Sequence, residues 1–180
     1  MQAIATLVDE SSNFAASQLW EVLRRSCDLN GIRIPRDPHF SWMVSERFDE
    51  EVVQKKLHSF AEEAHEFEVT TSGLGIFTGE KPILYLPIVK TRHLLEMHQA
   101  LWSALYSSGI NQNQVYQPSF WIPHITVING EVPSERFNCL LESIVPLDLS
   151  LTIRVNNVAL IYSDATEAGV RFVQNFGSAA

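Results

Sequence analysis

The spacing of apolar residues predicts alternating strands and helices along the whole chain. Apolar and β-branched runs between glycine, proline and polar turns predict strands, and apolar residues at helical spacing behind a capping residue predict helices. The predicted strands are approximately Ala3–Val8, His39–Ser45, Phe67–Thr71, Leu74–Phe77, Ile83–Val89, Trp121–Ile128, Leu149–Val155, Val158–Tyr162 and Val170–Asn175. The predicted helices run from Ser11 or Ser12 to about Cys27, and approximately over Asp49–Ala64, Thr91–Ser107 and Pro133–Ile144.

The order of these elements reads as two successive β-α-β-α-β-β units. Similarity between the two halves is faint outside the motifs described next, so the repeat is one of elements. Strands that alternate with helices and are joined by tight hairpins favour an α+β fold with mainly antiparallel sheets. The length of 180 residues suits one domain or two small lobes.

Two segments of the chain are nearly the same: Pro38-His39-Phe40-Ser41 and Pro123-His124-Ile125-Thr126. On a strand, a histidine and a hydroxyl two residues apart project from one face, and the apolar residue between them projects from the other. One neutral and one protonated imidazole can act as base and acid near pH ~6.5, and hydroxyls can donate hydrogen bonds to phosphate oxygens. Two matched copies indicate one site assembled from two similar halves.

Charge and composition restrict the binding partners and the cellular location that we expect for this protein. The net charge of −8 argues against a general nucleic-acid binder, although a small nucleotide or an RNA end remains compatible with a locally positive pocket. No apolar run approaches the ~20 residues that span a bilayer, and the N-terminus lacks the basic start of a signal peptide. We expect a cytoplasmic monomer with no membrane contact, in which Cys27 and Cys139 are reduced and mostly buried.

The paired motifs, their separation and the order of elements around them resemble the 2H phosphoesterase superfamily, in particular its bacterial 2′-5′ RNA ligase and 2′,3′-cyclic phosphodiesterase branch. The resemblance implies that residues 1–180 form a single domain of two pseudo-symmetric lobes, with two mainly antiparallel sheets facing across a central groove and helices outside. It implies hydrolysis of a 2′,3′-cyclic or 2′-5′ phosphodiester of a nucleotide or RNA end to a 2′-phosphomonoester, without metal or cofactor. Reversible 2′-5′ RNA ligase activity is a further implication, with the two histidines exchanging roles.

The resemblance also assigns residue roles. His39 and His124 are the catalytic pair, with His124 as the base that activates water and His39 as the acid that protonates the leaving oxygen. Ser41 and Thr126 hold the phosphate oxygens. The residues alone do not say which histidine is the acid. Bacterial members often carry an arginine at the position of Asn129, so the substrate and the ligase activity stay open.

Further substrate contacts are expected from Arg36, which precedes the first motif, and from Tyr116 and Phe120, which precede the second. Other cations and aromatic residues weighed for the site are Arg33, Lys81, Arg92, Tyr85 and Trp121. The remaining histidines, His58, His65, His93 and His98, are interpreted as structural or surface residues.

Two other functions stay open. A binding module on the same fold would hold a nucleotide or a protein without catalysis. A metal-dependent phosphodiesterase is the second alternative; His58 and Glu62 have helical i,i+4 spacing, but no zinc motif accompanies them.

Overall fold

A computed structural model describes residues 1–9, 19–23, 25–27, 37–129, 134–164 and 166–177. The expected cap of the first helix at Ser11 or Ser12, and the candidate cations Arg33 and Arg36, lie outside these residues. None of the described helices combines the length and the apolar character that crossing a lipid bilayer requires.

The helices and strands follow the predicted order, with short additions. The strands are β1 (Gln2–Leu7), β2 (His39–Ser45), β3 (Arg47–Phe48), β4 (Phe67–Thr70), β5 (Gly75–Phe77), β6 (Ile83–Pro87), β7 (Gly109–Ile110), β8 (His124–Asn129), β9 (Thr152–Val155), β10 (Asn157–Ser163) and β11 (Ala168–Asn175). The helices are α1, described at residues 19–23 and 25–26, α2 (Glu50–Glu63), α3 (Arg92–Leu105) and α4 (Ser134–Ile144). A 3₁₀ turn over Tyr106–Ser108 directly follows α3, and a second one lies at Gln114–Tyr116.

Within the described residues, seven strands form one sheet in the order β11-β10-β1-β2-β8-β6-β5, and all its pairings are antiparallel. Two small pairs, β3–β7 and β4–β9, lie outside it. The predicted α+β class with antiparallel pairing is confirmed. The two halves of the sheet meet at the pairing of Phe40 with Ile125, so they are continuous through β2 and β8. This pairing puts the two motif strands side by side at the centre of the sheet.

Two helices begin where the capping residues predict. The side chain of Asp49 accepts a hydrogen bond from the amide of Val52, and Thr91 accepts one from the amide of Leu94. Each cap satisfies an amide that the helix itself leaves without a partner. Helix α3 buries Leu94, Met97, His98, Leu101 and Leu105. Because these positions recur at helical spacing, they form one face of α3 turned toward the core.

The expectation of reduced cysteines is wrong. Cys27, at the end of α1, and Cys139, within α4, form a disulfide across 112 positions of sequence. The expected burial of Cys27 is observed, but the pairing could not be predicted, because sequence separation gives no information on which residues adjacent helices bring together. The bond fixes α1 to α4.

Candidate functional site

The four motif side chains share one face of the sheet at its centre. Because Phe40 and Ile125 are antiparallel partners, the register sets His39 toward Thr126 and Ser41 toward His124. Phe40 and Ile125 point the other way and are 0% and 2% exposed. The four motif side chains are partly exposed. The expectation that each histidine shares a face with its hydroxyl, and that both motifs converge, is met by this geometry.

The proline that begins each motif is hydrogen-bonded to the neighbouring chain in the same way. The carbonyl oxygen of Pro38 accepts a hydrogen bond of 2.9 Å from the amide of Val8, just after β1. The carbonyl oxygen of Pro123 accepts one of 2.9 Å from the amide of Ile88, just after β6. A proline has no amide hydrogen to donate, so its carbonyl is the peptide group that can tie each motif start to the adjacent chain. The equivalent anchors hold both histidines at the starts of their strands.

The imidazole rings are held in one tautomer. Nδ1 of His39 lies 2.8 Å from the carbonyl oxygen of Asp37, and Nδ1 of His124 lies 2.7 Å from that of Ile122. A carbonyl oxygen only accepts, so in each ring Nδ1 carries the hydrogen and donates it. The residue that supplies the carbonyl precedes a proline in both cases, and proline favours extended backbone there. In the neutral state, Nε2 of each ring is therefore the nitrogen with the free lone pair.

The environment lowers the pKa of both histidines. Burial is the largest cause at His39, opposed by the hydrogen bond to the Asp37 carbonyl and by the charge of Asp37. Burial also lowers the pKa of His124, against the hydrogen bond to the Ile122 carbonyl, and the charge of His39 lowers it further. An electrostatic effect of one imidazole on the other requires that they lie close together. The site therefore favours a state in which the two rings are not both protonated.

Two aromatic side chains border His124. Tyr85 is the partner of Thr126 across β6 and β8, and its ring centroid lies 5.1 Å from that of His124. Phe77, on β5, stacks on Tyr85 at 4.1 Å and meets His124 edge-on at 5.0 Å. These two rings form a wall beside the second histidine, which we call the aromatic wall. Tyr85 is 9% exposed and Phe77 is partly exposed, so the wall meets solvent mainly through Phe77, and an aromatic ring at such a position can stack against a planar group such as a nucleobase.

The core side of the motif strands is also aromatic. Trp42 and Trp121 stack with centroids 5.3 Å apart, and His98 stacks on Trp121 at 3.8 Å. Indole Nε1 of Trp121 donates to the carbonyl oxygen of Ser41, and indole Nε1 of Trp42 donates to the hydroxyl of Thr6. The motif strands therefore rest on a close-packed aromatic layer, in which Trp121 binds the backbone of β2 and Trp42 binds a side chain of β1.

The other residues expected to contact the substrate lie in different environments. Tyr116 packs partly buried against the core, where burial raises its pKa, and Phe120 is 65% exposed. Their roles stay predictions, and Arg36 lies outside the described residues. Lys81 occupies the exposed turn between β5 and β6, whereas Arg92 binds Glu96 on the surface of α3.

Sequence reasoning misses the place of Phe77 in the site and does not predict the contacts of His98. It assigns Phe77 only to a strand, and the place of Phe77 in the aromatic wall follows from the pairing of β5 with β6, which short strands do not specify. It interprets His98 as a structural or surface residue, and the structure buries His98 in the core. The spacing of His98 from Leu94 and Leu101, four and three residues away, is the available signal, because it places the imidazole in the apolar stripe of α3.

A metal centre is not apparent among the described residues, where no group of three His, Cys, Asp or Glu side chains is arranged to hold an ion. The one pair considered from the sequence, His58 and Glu62, forms an exposed contact of 3.6 Å within α2.

Comparison with solved structures identifies the fold. TT0787 of Thermus thermophilus superposes with a TM-score of 0.68 at 17% identity, over 97% of each chain. Usb1 of Kluyveromyces marxianus gives a TM-score of 0.58 at 11% identity, again over 97% of each chain. A structure of the same Usb1 with uridine monophosphate gives 0.53 at 11% identity, over 97% of this chain and 99% of the other. These likenesses show that the chain has the same fold as TT0787 and Usb1.

The family follows from the sequence itself. The family model of the 2′-5′ RNA ligase superfamily matches residues 11–167, which include both motifs. The chain belongs to the 2′-5′ RNA ligase superfamily of 2H phosphoesterases. A direct comparison with curated protein sequences gave no match.

Proposed function

We propose that this protein is a metal-independent phosphodiesterase that hydrolyses 2′,3′-cyclic phosphodiesters of nucleotides or RNA ends to 2′-phosphomonoesters. One observation carries the proposal: the pairing of Phe40 with Ile125 gathers two imidazoles and two hydroxyls on one face of the sheet. A base, an acid and two donors to phosphate oxygens are what displacement at a phosphodiester requires from side chains.

The reaction uses the Nε2 atoms that the carbonyl contacts leave with free lone pairs. Neutral His124 takes a proton from water through Nε2, and the water oxygen forms a bond to phosphorus opposite the 3′ oxygen. The bond from phosphorus to the 3′ oxygen breaks, and protonated His39 gives its Nε2 proton to that oxygen. The product is a 2′-phosphomonoester with a free 3′-hydroxyl. This division of roles follows the family resemblance, since the two rings have equivalent carbonyl contacts.

Ser41 and Thr126 are the proposed donors to the non-bridging phosphate oxygens. Each faces the histidine of the opposite motif across β2 and β8, so a phosphate between the two imidazoles contacts a hydroxyl on each side. The aromatic wall of Phe77 and Tyr85 beside His124 provides a surface for the base of the substrate. The likeness to a fold solved with uridine monophosphate supports a ligand of nucleotide size.

We further propose that residues 1–180 act as one domain of two similar lobes, each providing one motif, and that the protein is a monomer. The equivalent backbone anchors at Pro38 and Pro123 support the relation between the two halves.

The test is turnover of 2′,3′-cyclic UMP and AMP in excess EDTA, with products separated by chromatography so that 2′- and 3′-monophosphates are distinguished. We expect the 2′-monophosphate from the unmodified protein. His39→Ala and His124→Ala each lower the rate by about 10²–10⁴-fold, the usual contribution of acid–base catalysis. His65→Ala, at an exposed position after α2, is the matched control and keeps full activity.

Each contrary result has a definite meaning. Full turnover by either motif variant excludes the two-histidine mechanism. Loss of activity in EDTA supports a metal-dependent enzyme. Ligand binding measured by calorimetry, without any product, supports a non-catalytic binding module.

A further inference from the structure

Strand β2 contains a bulge directly after the first motif. Ile4 of β1 pairs with Met43, and Ala5 pairs with Ser41, so the intervening Trp42 has no partner on β1. A bulge changes the direction of the neighbouring side chains, and its peptide groups leave the regular ladder. A buried carbonyl in that position needs another donor.

His98 of α3 supplies the donor. Its Nε2 lies 3.0 Å from the carbonyl oxygen of Trp42, and because a carbonyl only accepts, Nε2 carries the hydrogen. The imidazole is fully buried, and burial lowers its pKa to about 4, against the hydrogen bond to the carbonyl of Trp42. The ring is therefore neutral near pH 7 and donates from Nε2 as a fixed, uncharged group.

The carbonyl of Ser41, one residue before Trp42, is held by Trp121, the ring on which His98 stacks. Nε1 of Trp121 donates to the carbonyl oxygen of Ser41 at 3.0 Å, and the rings of Trp121 and His98 stack at 3.8 Å. Consecutive carbonyls of β2 are thus bound by two stacked rings. Trp121 lies three residues before His124, so the stacked pair joins the strand of the first motif to the segment that leads into the second.

We infer that His98 is a positioning residue of the candidate site: by holding the bulge at Trp42 and stacking on Trp121, it sets the position of the first motif relative to the second. This inference rests on the proposed phosphodiesterase function and deepens it. His98 contacts neither motif histidine, and its effect reaches the reacting atoms through the two strands. In-line displacement is sensitive to such placement, since an error of about 1 Å can lower a rate by about 10²-fold.

The experiment compares two substitutions at this position. His98→Leu removes the donor and leaves the Trp42 carbonyl without it, whereas His98→Gln retains an N–H group that can reach the same oxygen. We expect His98→Leu to lower kcat for 2′,3′-cyclic UMP by about 10- to 100-fold, with KM changed by less than about threefold. We expect His98→Gln to recover kcat to within about fivefold of the unmodified protein.

Leu101→Ala is the matched control for loss of stability. Leu101 is fully buried one turn further along the same face of α3. Its truncation loosens the core without removing a donor to β2, so kcat stays within about threefold at temperatures where the protein is folded. An unchanged kcat in folded His98→Leu, or an equal loss in Leu101→Ala, overturns the inference.

Two further measurements decide the question if other arms fail. If His98→Leu does not fold, Trp121→Phe takes its place, because it removes only the indole donor to Ser41 and keeps a stacking ring. We expect this variant to lose kcat without a change in KM. An unchanged kcat overturns the inference. If the unmodified protein shows no turnover, the proposed function fails by itself. The positioning role is then judged by NMR titration of His39 and His124: their pKa values shift in His98→Leu and Trp121→Phe relative to the unmodified protein, but not in His98→Gln or Leu101→Ala. Identical titrations overturn it.

Discussion

The ring of Tyr85 covers Gly75 across the β5–β6 hairpin so closely that a Cβ atom on Gly75 would lie 2.3 Å from Cζ of Tyr85. No real side chain tolerates that distance, so a larger residue at Gly75 has to displace the ring. The ring is also the one that stacks on Phe77 and borders His124. The glycine therefore determines where the aromatic wall stands relative to the second histidine.

We expect Gly75→Ala to lower kcat/KM for 2′,3′-cyclic UMP by about tenfold, because the displaced Tyr85 ring no longer presents its face beside His124. Overpacking also reduces the free energy of unfolding by about 1–3 kcal/mol. Steady-state kinetics and urea unfolding measure the two effects. Gly169→Ala is the control, since its Cβ would meet the ring of Tyr162 at 3.2 Å in a different hairpin, β10–β11. Equal kcat/KM for Gly75→Ala and the unmodified protein contradicts a role of the wall in substrate binding.

The hydroxyls offer a second prediction. Ser41→Ala and Thr126→Val each remove one proposed donor to the phosphate with little change in volume. We expect kcat to fall on the order of 10²-fold for each, the usual effect of losing one donor to transition-state charge. Thr70→Val, exposed on β4, is the matched control and leaves kcat unchanged. Full activity of both motif variants would show that the hydroxyls only support the strands.

Sequence reasoning predicts the parts of the molecule that local rules determine. The helix starts at Asp49 and Thr91 follow from capping chemistry, and the strand of the first motif follows from its alternation of faces. The shared face of His39 and Ser41 follows from the period of a strand alone. The convergence of the two motifs is expected only because they resemble each other and a known family.

Features that depend on contacts between distant elements could not be predicted. The strands β3 and β7 have two residues each, too few for any periodic signal. The bulge at Trp42 depends on how β1 pairs with β2, and the Cys27–Cys139 bond depends on where α1 meets α4. Such pairings are set by packing of the whole core, which one sequence does not specify.

A third prediction concerns stability at acid pH. His98 has a pKa of about 4 in the folded protein, below its ordinary value of 6.5. As the pH falls, His98 therefore takes up its proton in the unfolded chain before it does so in the folded protein. The stability contributed by neutral His98 is complete above pH 6.5 and is lost as the pH falls from 6.5 toward 4. A pKa shift of this size corresponds to a loss of about 3 kcal/mol in the free energy of unfolding.

Urea unfolding between about pH 7.5 and pH 4.5 measures this loss. The same series for His98→Gln provides the control, because glutamine does not titrate. We expect the stability of the unmodified protein to fall more steeply with acidification than that of the variant. Parallel curves would show that His98 takes up a proton without cost in the folded state. His39 and His124 contribute in the same direction to both proteins, so the difference isolates His98.

The last prediction concerns the pH dependence of catalysis. The mechanism needs one motif histidine neutral and the other protonated, so the productive fraction is largest between the two apparent pKa values of the pair. Burial lowers the pKa of both His39 and His124 below the ordinary value of 6.5. At pH values above both, the acid has lost its proton. We therefore expect kcat/KM, which reports the free enzyme, to peak below pH 6.5 and to decline above it.

Bound substrate changes this balance in a definite direction. The negative charge of the phosphodiester favours the protonated imidazole, so it raises the pKa of the pair in the complex. We expect the maximum of kcat to lie at higher pH than that of kcat/KM. Both are measured for 2′,3′-cyclic UMP at constant ionic strength, over the pH range in which urea unfolding shows the protein to be folded. A kcat/KM that continues to rise from about pH 6.5 to pH 8.5 contradicts this pair of histidines as the acid and the base, because above both pKa values the acid has no proton left to give.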